Sequence, residues 1–157
     1  MPKITPWLWF DTEAEQAANF YISIFKNSRI VSVSHYGEAG PGLAGTVMTV
    51  AFELDGQPLV ALNGGPEFVF SEAISFQIDC ETQDEVDYFW TSLTDGGTPS
   101  QCGWLRDKFG LSWQVAPRGL EALLTDPDPK RAQRAMAAML NMGKLDIGAL
   151  RRAADGA

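Results

Sequence analysis

The chain has 157 residues, 45% of them apolar, with five Trp and nine Phe and a net charge of −8. That length suits one domain able to bury about 70% of its unfolded surface, and the acidic balance argues against a nucleic-acid binder that works through phosphate contacts. No apolar run approaches the ~20 residues of a membrane span and Met1-Pro2-Lys3 opens no signal-peptide core, so a cytoplasmic location without membrane attachment is expected.

Ile4 to Phe10 reads as a strand with Thr5, Trp7 and Trp9 on one face and Leu8 and Phe10 on the other. Thr12-x-x-Glu15 has the form of a capping box, and the helix it would start carries Ala14, Ala17, Ala18, Tyr21 and Phe25 on one stripe. Strands are predicted over Arg29 to Tyr36, Thr46 to Leu54 and Pro58 to Asn63, the last two joined by the hairpin signal Asp55-Gly56. Asn63-Gly-Gly-Pro66 reads as a linker. The order then repeats at a period near 70 residues: a strand over Ala73 to Cys80, a second capping box at Thr82-x-x-Glu85, and a helix with Val86, Phe89, Trp90 and Leu93 inward. Only Thr98 to Ala116 remains for three further strands, so the sixth is expected to be rudimentary. Beyond Leu120 the pattern is helical. Asp128-Pro129 is an N-cap with Pro at the first helical position, Gly143 a stop, and Ala132, Met136, Met139 and Leu140 an apolar stripe. A last helix is predicted from Asp146, with Ile147 and Leu150 inward.

The stretch Cys102 to Pro117 forms a predicted hairpin: a strand through Trp104 and Leu105, a turn at Asp107 to Gly110, and a strand over Leu111 to Ala116. Ser112, Gln114 and Ala116 face one side, Trp113 and Val115 the other. Asp107-Lys-Phe-Gly110 followed by Gln114 resembles the last hairpin of the glyoxalase/bleomycin-resistance/extradiol-dioxygenase (vicinal oxygen chelate) superfamily, where D-x-x-G and three further residues precede a metal-binding Glu. Within it the chain looks like the PhnB-like family, often labelled 3-demethylubiquinone-9 3-methyltransferase, from Ile4 to about Leu150. The resemblance implies a single α+β domain of paired βαβββ units, mostly antiparallel, with unit one over about 3–65, unit two over about 72–117 and a helical tail over about 119–155. It also implies a homodimer.

In that superfamily four inward-facing strand residues, two from each unit, hold a metal. The resemblance puts those positions at Thr5 or Trp7, at Ala61 or Asn63, at Ala73 or Ser75 with Gln77 nearby, and at Gln114; none is His, Asp, Glu or Cys. A neutral amide oxygen is a weak ligand for transition metals, so neither metal nor cofactor is expected. Glu53 and Asp79 are the exceptions to watch, because a one-residue slip in register reverses the face a side chain takes. What remains on the expected face is Trp7, Trp9, Asn63, Gln77, Trp104 and Gln114, and of these Trp7, Asn63, Gln77, Trp104 and Gln114 are the candidate ligand-binding set. Rings supply contact area and amides fix orientation for a flat or amphipathic small molecule. Equally, such amides can face water on a sheet whose concavity its own side chains fill.

Two other motifs are discounted. Gly40-Pro-Gly-Leu-Ala-Gly45 matches G-x-G-x-x-G, but a strand follows it where a dinucleotide site needs a helix N-terminus. The same lack of a βαβ nucleotide unit argues against a doubly wound S-adenosylmethionine enzyme. His35 is the sole histidine and has no sequence-local nucleophile, and Cys80 and Cys102 read as reduced, buried thiols. Three functions stay open: metal-free binding of a small molecule, as in the bleomycin-resistance branch; an enzyme on a small metabolite (a lyase, dioxygenase or the methyltransferase of the family label), with no catalytic residue assigned; and an interaction module.

Overall fold

Alternation in the apolar strands becomes two sheets of identical topology in a computed structural model that describes residues 2–157. The chain divides into two compact units, one ending at Phe70 and the other running from Ser71 to Ala157.

The first unit is β1 (Trp7–Phe10), α1 (Ala14–Ile24), β2 (Arg29–His35), β3 (Val47–Leu54) and β4 (Gln57–Asn63), in sheet order β1-β4-β3-β2. β1 runs parallel to β4 and the other pairs are antiparallel. Asp55 and Gly56 both take positive φ, at 49° and 80°, the geometry of a tight turn matched to strand twist. Leu8, Phe10, Val50, Phe52, Leu59 and Ala61 are buried with Ala14, Ala17, Ala18, Tyr21 and Ile24 of α1. Three small residues let that helix lie close on the sheet.

Two expectations fail here. β1 starts at Trp7 rather than Ile4: Pro6 has no N–H to give a ladder, and Ile4 is exposed. The Thr12/Glu15 capping box does not form. The cap position falls on Glu13, whose side chain makes no capping bond, and Asn63 Oδ1 accepts the Ala14 N–H instead at 2.8 Å.

The second unit repeats the order with β5 (Ser75–Cys80), α2 (Gln83–Thr94), β6 (Thr98–Pro99), β7 (Trp104–Arg106) and β8 (Ser112–Pro117), in sheet order β5-β8-β7-β6. β5 is parallel to β8, and β6 is two residues long, as the short span required. Ile78, Cys80, Leu105, Trp113 and Val115 are buried together with Val86 and Leu93 of α2. The second cap forms with its return bond shifted: Thr82 accepts the Glu85 N–H, while the Glu85 carboxylate accepts the N–H of Glu81, one residue before the cap, rather than that of Thr82.

The helical tail packs inside this second unit as α3 (Leu120–Leu124), α4 (Pro129–Met139) and α5 (Ile147–Asp155). Asp128 and Asp146 cap α4 and α5 through their side chains. The α4 stripe is rotated from expectation: Leu140 is exposed, and Ala135 is fully buried like Ala154 of α5, small residues permitting a close helix approach. Arg134 donates to the Ala153 and Ala154 carbonyls at the end of α5, satisfying acceptors that a helix terminus leaves orphaned.

Candidate functional site

The hairpin of β7 and β8 is built around Asp107. This carboxylate is buried, its Oδ1 accepts the Phe109 and Leu111 N–H groups at 2.8 and 3.1 Å, and its Oδ2 accepts the Trp113 indole N–H at 2.9 Å. Gly110 closes the turn at φ 89°. The D-x-x-G pattern therefore has a mechanical reading: the aspartate ties the turn to the core side of β8 and so fixes which residues β8 turns outward.

Those outward residues share one face with their neighbours in the ladder. Gln77 pairs in register with Gln114, and Gln114 with Trp104, so three of the candidate residues form a single row across β5, β8 and β7. One step along lies the Ser75–Ser112–Arg106 row. Gln114 Nε2 donates to Ser75 Oγ at 2.9 Å; Gln77 is exposed, while Trp104 and Gln114 are half-buried.

Beside the rows is a cavity of about 280 Å³ lined by Glu72, Thr98, Pro99, Ser100, Trp104, Leu105, Arg106 and Ser112. Gln114 and Gln77 continue the same face beyond it. Ser112 is 0% exposed and its hydroxyl has no hydrogen-bond partner among the described residues. A buried, unsatisfied polar group costs about 1–3 kcal/mol, so a hydroxyl left this way on a cavity wall marks a place where an occupant can bond. Arg106 Nε donates to Glu72 Oε1 at 2.8 Å across two half-exposed side chains. With its own backbone N–H first and the Arg106 guanidinium second, the Glu72 carboxyl is held below the usual carboxylate range. Ser112, Arg106 and Glu72 were not among the sequence candidates. The first two were findable, as same-face neighbours of Gln114 and Trp104 at i±2; nothing local signals Glu72.

In the first unit Trp7 and Trp9 are aligned with Val60 and Leu62, on the face of the sheet away from α1. Trp7 is 58% exposed. Trp9 is held: its indole N–H donates to the Gly65 carbonyl at 2.9 Å, Phe68 packs edge-on at 5.0 Å, and a Cβ on Gly64 would overlap the ring. The linker glycines thus make room for a tryptophan. Asn63 does not share this face. Its register partner is Phe10, and its amide is committed within the unit, Oδ1 to the Ala14 N–H and Nδ2 to the Val47 carbonyl at 3.1 Å, while the Tyr36 hydroxyl donates to its backbone oxygen. Asn63 is a structural amide, and the expectation that placed it with Trp7 was one residue out of register.

The loop carrying Gly40 to Gly45 borders a recess of about 560 Å³ together with Asp11, Glu15, Tyr36 and Gly64. β3 follows it, so no helix N-terminus faces it from that loop, and a Cβ on Gly42 would overlap the Tyr36 ring. The glycines serve packing on Tyr36. His35 is exposed at the end of β2.

Residues 2–116 match the family described as 3-demethylubiquinone-9 3-methyltransferase. A solved structure from Bacillus cereus, a putative 3-demethylubiquinone-9 3-methyltransferase called a PhnB protein, is 39% identical with a TM-score of 0.68, covering 74% of this chain and 99% of its own. The chain belongs to this PhnB-like family. A Pseudomonas aeruginosa protein (18% identity, TM-score 0.62, 74% and 98% covered) and the fosfomycin resistance protein FosX of Listeria monocytogenes, solved with Mn(II) and sulfate (14%, 0.53, 79% and 97%), share the fold. No curated protein matches. The PhnB-like match ends where the tail begins, so α3 to α5 lie outside it.

The superfamily's metal can be tested against the PhnB-like donor set. On the faces away from the helices the first unit offers Trp7, Trp9, Val60 and Leu62, and the second Ser75, Gln77 and Gln114. Glu53 and Asp79 do lie on these faces, but Arg29 pairs with Glu53 at 3.0 Å and Arg118 with Asp79 at 3.2 Å. Among the described residues no group of three or more His, Cys, Asp or Glu could hold a metal. A zinc-type site takes about three such ligands; the residues do not fit one. Nor does either PhnB-like unit contain the strand–glycine turn–helix cradle of a doubly wound S-adenosylmethionine enzyme.

Proposed function

We propose that this chain binds a small flat or amphipathic molecule, without a metal, on the open face of its second sheet. The observation that carries the reading is the buried Ser112 hydroxyl, without a partner among the described residues, on the wall of a cavity that Trp104 also lines. Gln114 and Gln77 extend that face with amide groups able to orient a ligand, and the cavity lies near the lower end of the ~300–1,000 Å³ typical of ligand sites. Trp7 offers a second ring on the open face of the first sheet. The family's description names a 3-methyltransferase; the carboxylates of this face, Glu72 and Asp79, are paired with Arg106 and Arg118, and no glycine-turn cofactor cradle accompanies them among the described residues, so methyl transfer is not part of the reading.

The test is tryptophan emission during titration with a library of quinones, aromatic acids and drugs, together with metal analysis of protein purified without a His-tag. At least one compound should shift emission, and Trp104→Ala should weaken it by about 2–4 kcal/mol, the range of a buried aromatic anchor. Equal responses from mutant and parent remove Trp104 from the site. Stoichiometric zinc, nickel, iron or manganese, lost with thermal stability in chelator, restores the metalloenzyme reading.

A further inference from the structure

We propose that the cavity takes a ring-bearing carboxylate, its anionic head between Arg106 and Ser112 and its apolar body against Trp104. The proposal rests on the binding reading above and names the ligand class.

Arg106 and Ser112 are directly opposed in the antiparallel ladder between β7 and β8, on the same face. Cβ atoms so placed lie about 4.5–5.5 Å apart, close enough for one carboxylate to reach both side chains. Arg106 meets Glu72 through Nε alone, leaving its Nη groups without a partner among the described residues. Those groups present the planar edge that suits two-point recognition of an oxyanion. Ser112 adds a hydroxyl with no competing protein acceptor, in a residue 0% exposed. The next opposed pair along the ladder is Trp104 with Gln114, so an apolar body leaving the head in that direction meets the indole.

A cationic ligand fits less well. It would share Glu72 with Arg106 and sit beside a like charge, while the Ser112 hydroxyl gained nothing from it. Glu72 itself behaves as an internal stand-in for the ligand: a carboxylate on an exposed side chain, tied to Arg106 by one hydrogen bond that a ligand carboxylate can replace. The net charge of −8 opposes an anion at long range. Screening over a Debye length of about 8 Å leaves the contact pair to decide. The platform is rigid, because Asp107 anchors the turn between Arg106 and Ser112.

The experiment is calorimetric titration of the full chain at neutral pH with 2-naphthoate, its neutral amide 2-naphthamide, and 2-naphthylmethylamine. Naphthoate should bind at least tenfold tighter than the amide, and the amine weakest. Arg106→Gln should bring the acid-to-amide ratio close to one. Ser112→Ala should weaken naphthoate several-fold while leaving the melting temperature equal or higher, since it removes an unsatisfied group. Glu72→Gln should tighten naphthoate several-fold by removing the stand-in, a gain that a merely structural ion pair would not produce. Equal affinity for acid and amide, preference for the amine, or an unchanged ratio in Arg106→Gln overturns the carboxylate assignment while a Trp104-dependent signal keeps the pocket. Absence of binding by all three probes overturns the assignment and removes the Trp104 pocket for ring-bearing ligands with it.

Discussion

Asp107 shows how much one side chain can decide. Its two oxygens take three N–H groups, from the turn and from the Trp113 ring, and a residue that accepts so much while buried cannot be trimmed without orphaning donors. Asp107→Ala should cost about 3 kcal/mol or more, lowering the melting temperature by roughly 6–12 °C for a chain of this size. Thermal unfolding followed by near-ultraviolet circular dichroism would report both the loss and the freed indole; a melt within 2 °C of the parent, about the shift of a neutral surface change, would show that the turn holds without it. Cys80 makes the opposite point. Burial first, then Glu85 and Asp79, pushes its thiol up to about 12. Native protein treated with iodoacetamide near pH 8 should leave Cys80 unlabelled and label it only in denaturant. Peptide mapping that finds Cys80 alkylated as fast in native as in unfolded protein would contradict its burial.

Among the elements, the tail is the one whose role is least apparent from its own residues. The segment leading into α5 is strapped along the loop that enters β7: Cys102 and Gly103 donate to the Met142 and Gly143 carbonyls, each at 2.8 Å. Both donors have positive φ, 60° and 82°, and a Cβ on Gly103 would come within 2.9 Å of Leu145. Gln83 of α2 clamps the strap from the other side, donating to the Leu145 carbonyl at 3.0 Å and accepting the Ile147 N–H at 2.8 Å, with Lys144 paired to Asp87 beside it. Gln83→Ala should therefore cost about 1–2 kcal/mol and speed hydrogen exchange at the Cys102 and Gly103 amides, whose loop sets the direction of Trp104. Exchange unchanged at those two amides would sever the strap from the site. The strap is also acid-sensitive. Lys144 and then Gln83 hold the Asp87 carboxyl below its ordinary value, so its contribution is present above about pH 4 and is lost as pH falls through the lowered value. Asp87→Asn should abolish that part of the acid response.

For the whole molecule we propose a homodimer. Ile4, Trp7, Phe68 and Val69 of the first unit are large apolar side chains left exposed. Exposed apolar surface of this kind commonly marks an interface. Light scattering at tens of micromolar, where a standard-sized interface of about 1,600 Å² should hold, is expected to give twice the chain mass; monomer alone at that concentration would leave those side chains without a role.

The paired βαβββ units, the rudimentary sixth strand, the Asp55-Gly56 turn and the capped helices of the tail were all legible in the amino-acid order. Each rests on physics confined to a few neighbours: a period of two or 3.6, a positive φ, an orphan N–H needing a cap. The Gln77–Gln114–Trp104 row was half legible, because alternation assigns faces but not which strands lie side by side. Long-range pairing settled the rest. Asn63 became a helix cap because parallel pairing of β4 with β1 sets it against Phe10 and brings it to Ala14, 49 residues away. Gln83 met the Leu145 and Ile147 backbone over more than 60 residues. Ser112 was left without a partner by the packing around it. No local pattern encodes these, since a side chain's hydrogen-bond partner is fixed by which distant backbone the fold delivers to it.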